Sequence, residues 1–259
     1  MSDRRTSVSR RGFLRGSLAT LSVAVLAGCD RLGESPWFAK LLRSGETLTR
    51  TVQRWVVPRT ALAQEFSEAD VTGPFRSNGT SRPGTAHYAA LAANDFADWQ
   101  LHVDGLVEEP LALSLDELRA MPARTQITRH DCVEGWSAIA KWTGVPLADV
   151  LDRAKPLANA RYVVFHCADP MQADGTDPYY ESIDMIDAYH PQTILAYRLN
   201  EAALPIPNGA PIRVRIERQL GYKMAKYIMR IELVERFDHL YGGNGGYWED
   251  RGYAWYAGI

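Results

Sequence analysis

The sequence predicts an α+β fold, rich in strands and sparing in helix. Segments of strand length, with apolar residues alternating or in short blocks, recur across residues 99–234. The helical stretches between them are short, and the clearest opens on a recognisable cap. No internal repeat, coiled-coil heptad or G-x-G-x-x-G loop argues for a solenoid, a long bundle or a dinucleotide-binding fold.

Each element has its own reason. Residues 30–70 read as a tether in which Trp37, Phe38, Leu41, Leu42, Leu48, Val52, Trp55 and Val56 recur at roughly helical spacing. Lys40, Arg43, Arg50 and Arg54 are interleaved with them. Such a stretch either lies on a membrane surface or packs on the body of the protein. Residues 71–95, rich in Gly, Pro, Asn, Ser and Thr, read as loop. Trp99, Leu101 and Val103 alternate with polar residues up to Asp104-Gly105, which predicts a strand. Ser114-Leu115-Asp116-Glu117 is a capping box that opens a helix to about Met121. Residues 124–129 predict a strand leading into a loop around Cys132, and Thr143-Gly144-Val145-Pro146 reads as a turn. Residues 146–154 predict a short helix, and 161–166 a strand with a buried middle. Residues 179–183 predict another strand and 182–189 a turn of helix. Strands over 193–198, 211–216 and 227–234 complete the pattern.

The 259 residues, 46% hydrophobic and 23% charged, suffice for one large domain or two small ones. The formal net charge of −2 conceals an asymmetry, because five arginines stand in the first 28 residues. The remaining body is mildly acidic and has no basic tract, which gives no support for nucleic-acid binding. Ser9-Arg10-Arg11-Gly12-Phe13-Leu14 resembles a twin-arginine export signal. The apolar run that follows is too short to span a bilayer. It ends in Leu26-Ala27-Gly28-Cys29, which resembles a lipobox, and Asp30 resembles the residue that retains lipoproteins at the inner membrane. The expected organisation is therefore a signal peptide over 1–28, a tether over 29–73 and one catalytic domain over 74–259. The expected location is the periplasmic side of the inner membrane, lipid-anchored at Cys29. An oxidising compartment would permit a Cys132–Cys167 disulfide; a metal at Cys132 would leave Cys167 unpaired.

The run from Thr128 to Leu147 carries the chemistry. Taken alone, Cys132 is most simply a small buried core residue. A thiolate is also a soft metal ligand and a strong nucleophile. Cys132-Val133-Glu134-Gly135-Trp136-Ser137, followed by Trp142-Thr143-Gly144-Val145-Pro146-Leu147, resembles the cysteine loop of the sulfite oxidase family of molybdoenzymes. The resemblance is to the branch that includes the periplasmic methionine sulfoxide reductase catalytic subunits. It implies a sheet-rich molybdopterin-binding domain with one Mo-molybdopterin per chain, and Cys132 as the protein's thiolate on molybdenum. A second run is similar to the same family's pterin and phosphate grip: Asn208-Gly209-Ala210-Pro211-Ile212-Arg213, then Gly221-Tyr222-Lys223-Met224-Ala225-Lys226. Carried over residue by residue, Asn208, Arg213, Met224, Ala225 and Lys226 are cofactor contacts, Met224 and Ala225 through backbone groups. Arginine offers phosphate a planar fork and lysine a point charge.

Two further positions follow the resemblance less closely. Asn78, in Ser77-Asn78-Gly79, stands where the family has an asparagine near the metal; Asn94 is a rival match. Cys167 stands where the reductase branch has a threonine near the pterin, and a buried structural cysteine is the alternative. The aromatic, glycine-rich C-terminus either packs over the sheet or contributes to a substrate mouth. The reading implies oxygen-atom transfer, with reduction of a sulfoxide or related S- or N-oxide, small or protein-bound, favoured over sulfite oxidation. With no C-x-x-C-H haem motif, electrons must come from a separate redox partner, such as a membrane haem protein or cytochrome. Two other classes stay open. One is a thiol enzyme pairing Cys132 with His130 or His166; the other is a non-catalytic ligand-binding lipoprotein.

Overall fold

The computed structural model describes residues 35–172 and 177–259; the export signal and Cys29 lie outside the described residues. The first element is helix α1, Pro36–Val56, which belongs to a unit of its own. Its spacing is the one the tether predicts. Among the described residues no helix is long and apolar enough to cross a membrane.

The second unit, Val56–Ile259, holds two five-stranded sheets. The first is built from β1 (Gln100–Gly105), β2 (Leu111–Ser114), β5 (Tyr162–Pro170), β6 (Pro178–Asp184) and β10 (Ile228–Val234), in the order β2-β1-β10-β5-β6. All its pairings are antiparallel except β1 with β10. The second sheet runs β3 (Arg124–Asp131), β4 (Ser137–Pro146), β7 (Ile194–Leu199) and β8 (Ala202–Ala203), with β9 (Arg213–Arg215) also on β7. The short helix α2 (Ala86–Ala93) precedes β1, and α3 (Leu115–Ala120), α4 (Leu147–Ala154) and α5 (Met185–Ala188) lie between the strands in sequence. The α+β expectation therefore holds, as does the capping box on α3, where Ser114 Oγ accepts from Glu117 N–H at 3.2 Å.

The main core gathers Leu101 and Val103 of β1, Val163 and Phe165 of β5, Ile231 and Leu233 of β10, and Leu147, Val150 and Leu151 of α4. On the other face of β5, Val164 packs with Tyr180, Val234 and Tyr247 of the C-terminal tail. Both faces of β5 are buried, which is why its middle is continuously apolar. A second cluster joins Phe75, Ala138, Ala140 and Trp142 to Ile194 and Ala196.

Three local expectations need correction. The segment 71–95 is not all loop, since Ala86-His87-Tyr88-Ala89-Ala90-Leu91-Ala92-Ala93 forms α2 with Thr85 as its N-cap. Five alanines supply helix propensity that the preceding Pro83-Gly84 disguises. Thr143-Gly144-Val145-Pro146 is not a turn but the end of β4, whose small residues gave no alternation of strand type. Gly144 is needed there for close approach, because a Cβ would lie 2.2 Å from the Leu195 carbonyl oxygen. Strand β2, only four residues long and following Pro110, escaped notice.

The chain after α1 covers the outer edge of β3. Phe66 N–H donates to Ile127 C=O at 2.8 Å, and Glu65 bridges Thr128. Gln192 accepts from Ala63 N–H at 2.7 Å and donates to Ala63 C=O at 3.0 Å. An otherwise open strand edge is thereby paired.

Candidate active site

Strands β3 and β4 pair in register from Arg124↔Gly144 to Asp131↔Ser137, so residues 132–136 are the hairpin loop. Cys132 N–H donates to Trp136 C=O at 2.9 Å, and Gly135 N–H returns to Cys132 C=O at 3.0 Å. Trp136 indole N–H donates to the Glu134 carboxylate at 2.9 Å, and Ser137 Oγ–H donates to Asp131 at 2.5 Å. These bonds fix the loop and set Cys132 into a pocket wall. Burial pushes its thiol above the ordinary range, with the Glu134 carboxylate adding to it; the Glu134 backbone N–H, Arg76 and Asn78 pull the other way. Cys132 and Cys167 are both free and buried, so no disulfide joins them.

The pocket contains about 760 Å³ of atom-free space, open mouth included. Of the residues singled out from the sequence, Asn78, Cys132, Arg213, Met224 and Lys226 line it. Asn78 Nδ2–H points to Cys132 Sγ at 3.7 Å. Its rival Asn94 caps the C-terminus of α2 and bonds Asp98, away from the pocket lining. Asn208, Ala225 and Cys167 stand behind the wall. Asn208 C=O accepts from Arg213 at 3.1 Å, Ala225 C=O accepts from Val214 N–H at 3.0 Å, and Cys167 belongs to the main core.

The second motif folds as a cradle. Ile206–Asn208 forms one 3-10 turn that Gly209 ends at φ +115. A Cβ at Gly209 would approach Lys226 Cβ and Cγ to 3.0 Å, so both its conformation and its neighbour demand glycine. Arg213, on β9, is fully buried and lies 5.2 Å from the centre of the Trp142 ring. Its two terminal nitrogens donate to the carbonyls of Asn208 and Met224, at 3.1 and 3.2 Å, and its Nε has no partner. Lys226 Nζ donates to the carbonyls of Asn78, Thr80 and Pro207. Among the described residues no carboxylate is bonded to either cation. Burial, then the neighbouring Arg215 guanidinium, draws Arg213 down to about 9. Burial, then Arg213, draws Lys226 down to about 7.

The neighbouring charges are compensated. Arg215 pairs with Glu217 at 2.7 Å and donates to His130 Nδ1 at 2.9 Å. Lys223, fully buried, sits between Glu181 of β6 and Glu249 of the C-terminal tail. Burial pulls Lys223 downward, but the two carboxylates outweigh it and hold the ammonium above its ordinary range. Of the two lysines in the motif, only Lys226 lines the pocket. His130 is buried against Phe75 and Trp136, and burial first, then Arg215, keeps its imidazole well below the ordinary value. A histidine held by Arg215, beside a thiol that burial pushes up, is poorly suited to activate a nucleophile. His166 bonds Glu232 and Tyr241 on the other sheet and does not line the pocket.

Sequence reasoning missed several lining residues, Thr80, Asp169, Met171 and Tyr179, while Trp248 and Tyr253 belong to the C-terminal run it offered for the mouth. Asp169 was findable, since it shares a face of β5 with Cys167 at a two-residue interval. Its Oδ1 is buried without a partner, and burial raises its carboxyl to about 7. Trp248 and Tyr253 come from the C-terminal tail; their rings lie 5.3 Å apart, and Tyr253 meets Tyr222 edge-on at 5.2 Å. The tail therefore contributes to the pocket mouth as well as packing on the sheet.

This donor set fits a molybdopterin. A thiol supplies the soft ligand, and a buried and a half-buried cation with no bonded carboxylate among the described residues suit a phosphate. Arg213 Nε is an orphaned donor in the same wall, the kind of group that a ligand satisfies.

Comparison with known proteins agrees. The oxidoreductase molybdopterin binding domain matches residues 87–241. A candidate protein-methionine-sulfoxide reductase subunit, YedZ1 of Azospira oryzae, is 38% identical over 252 residues, covering 96% of this chain and 88% of its own. The protein-methionine-sulfoxide reductase catalytic subunit MsrP of Ralstonia nicotianae is 34% identical over 227 residues, covering 83% of this chain and 68% of its own. Among solved structures, the sulfane dehydrogenase SoxCD of Paracoccus pantotrophus aligns at TM-score 0.49 and 22% identity, over 54% of this chain and 39% of that one.

Proposed function

The chain belongs to the molybdopterin-binding oxidoreductases, and from that premise we propose that it reduces sulfoxides, with methionine sulfoxide as the leading substrate. The observation that carries the proposal is the pocket itself. Cys132 stands in one wall, two cations without carboxylate partners in another, and a mouth of Met171, Trp248, Tyr253 and Tyr222 opens beside them. Arg213 is buried and Lys226 partly so, both assigned to the phosphate grip, and the aromatic side of the mouth is lined by uncharged residues. A neutral, polarisable thioether S-oxide matches that surface better than a sulfite dianion does.

The net reaction takes R₂S=O, two electrons and two protons to R₂S and water. When bound, molybdenum supplies a two-electron centre that accepts the oxygen atom. The chain's own residues do the rest. Cys132 holds the metal through Sγ, and Asn78 Nδ2 donates toward that sulfur. Arg213 and Lys226 neutralise the phosphate, while Asn208, Met224 and Ala225 shape the pterin cradle behind them. Cys167 backs the same cradle from β5. The aromatic tail excludes water from the mouth and orients the substrate.

Export by the twin-arginine route, anchoring at Cys29 and a separate electron donor of membrane-haem or cytochrome type complete the reading. The motifs of residues 9–14 and 26–30 and the "catalytic subunit" in the name of the Ralstonia relative support it. The test is molybdenum and pterin content per exported chain, together with dye-linked reduction of methionine sulfoxide. Near one cofactor per chain with turnover is expected. Loaded protein that oxidises sulfite but leaves sulfoxides untouched would overturn the substrate assignment.

A further inference from the structure

Helix α1 carries a surface that the catalytic reading does not use. Trp37, Leu41, Leu48, Val52 and Trp55 follow one another at intervals of four, seven, four and three residues. At 3.6 residues per turn they fall within an arc of about 60°. All are exposed: Trp37 61%, Leu41 56%, Leu48 65%, Val52 49% and Trp55 87%. Large apolar side chains are seldom left so bare in a continuous row. Of the basic positions of the helix, 43, 50 and 54 fall in register on the opposite side and 40 on its flank, with Glu46 as the one acidic residue. The helix is therefore net positive, and a tryptophan marks each end of its apolar stripe.

We propose that α1 lies in the interface of an anionic phospholipid bilayer, with the stripe from Trp37 to Trp55 seated among the acyl chains and the basic positions toward the headgroups. Charge complementarity selects this occupant, since a net-positive helix is drawn to an anionic surface. Twenty-one residues give a helix about 30 Å long, lying along the surface instead of crossing it. Paired tryptophans suit the headgroup boundary, where an apolar ring and a polar N–H are both accommodated. Cys29 stands seven positions before Pro36, a span of at most about 25 Å, so an anchor there would hold α1 at the bilayer. The inference rests on the helix and not on that anchor, nor on the proposed substrate.

The test uses full-length, cofactor-loaded protein carrying Cys29→Ser, so that no lipid is attached. Co-flotation with vesicles of phosphatidylglycerol and phosphatidylethanolamine is compared with flotation on pure phosphatidylcholine. Binding to the anionic vesicles is expected to be roughly tenfold tighter or more, and to weaken with salt. Leu41→Gln/Leu48→Gln keeps helix propensity close to wild type and should weaken binding by roughly tenfold or more. Tryptophan emission should shift to the blue on vesicles in the parent protein. Dye-linked sulfoxide reduction by the same variants should be unchanged, so failure here and failure of the catalytic reading are separable. Equal binding by the double variant, no flotation on anionic vesicles, or a dimer in solution that the double variant abolishes would each overturn the inference.

Discussion

Arg213 gives the most discriminating test of the cofactor cradle, because its effect should reverse between the empty and loaded protein. Its depression from 12.5 to about 9 corresponds, at about 1.4 kcal/mol per unit, to a penalty on the order of 5 kcal/mol on the cofactor-free fold. The penalty applies at every pH below about 9 and fades only as pH rises beyond that value. Arg213→Met keeps much of the apolar stem against Trp142 and removes the charge. It also orphans the carbonyls of Asn208 and Met224, which costs about 2–4 kcal/mol. The opposed effects leave the cofactor-free variant within about 3 kcal/mol of wild type, or somewhat more stable. The loaded variant instead loses charge-assisted bonds to a phosphate, about 1.5–3 kcal/mol each, so pterin retention falls roughly 10²–10⁴-fold for two bonds. Thermal unfolding of cofactor-free protein and the rate of pterin release from loaded protein read the two halves separately. If cofactor-free Arg213→Met loses more than about 5 kcal/mol while pterin release is unchanged, the guanidinium is a structural cation and the reasoning fails.

Four further outcomes are expected. Asp169 has a folded value raised to about 7, so cofactor-free protein should lose stability as pH rises from about 4 to 7, by at most about 4 kcal/mol; Asp169→Asn should flatten that window in pH-dependent urea unfolding. Lys223→Met leaves Glu181 and Glu249 facing each other unneutralised and should cost about 3–5 kcal/mol, with loosening of the C-terminal tail visible as faster amide exchange over 245–256. Gly144→Ala forces β4 and β7 apart and should lower stability by about 2–4 kcal/mol in chemical denaturation; a change below about 0.5 kcal/mol would show that the strands accommodate the methyl. Cys132→Ser should retain the fold, with its melting point within a few degrees of wild type, yet lower dye-linked sulfoxide reduction at least about 100-fold.

How much was legible in the sequence depended on whether a residue's reason was local. The capping box at Ser114, the apolar block of β5 and the strand leading into the Cys132 loop state their structure in consecutive residues, and each agrees with the fold. Strand β4 was not, because its signal is an absence: Ala138, Ala140 and Gly144 are small so that β3 and β7 can approach, and smallness looks like a turn until the partner strand is known. The motif of residues 208–226 was legible through its resemblance, but that no carboxylate among the described residues bonds Arg213 or Lys226 is a three-dimensional fact. Thr80, Met171 and Tyr179 were missed for the same reason. They reach the pocket from separate segments, and no spacing in the chain announces that meeting.

The placement of β10 has a consequence for the order of assembly. This strand is nearly the last of the chain, yet it lies at the centre of the first sheet, between β1 and β5. Without it, β2-β1 and β5-β6 are two hairpins that share no strand pairing, tied through residues 106–109 and 154–157. The loop bearing Met224, Ala225 and Lys226 runs directly into β10, so the cradle closes in the same event that completes the sheet. Long-range closure of this kind is slow relative to hairpin formation. The cation wall of the pocket is therefore tied to the last long-range pairing of the chain, and a change that weakens β10 should disturb Lys226 as well as the sheet.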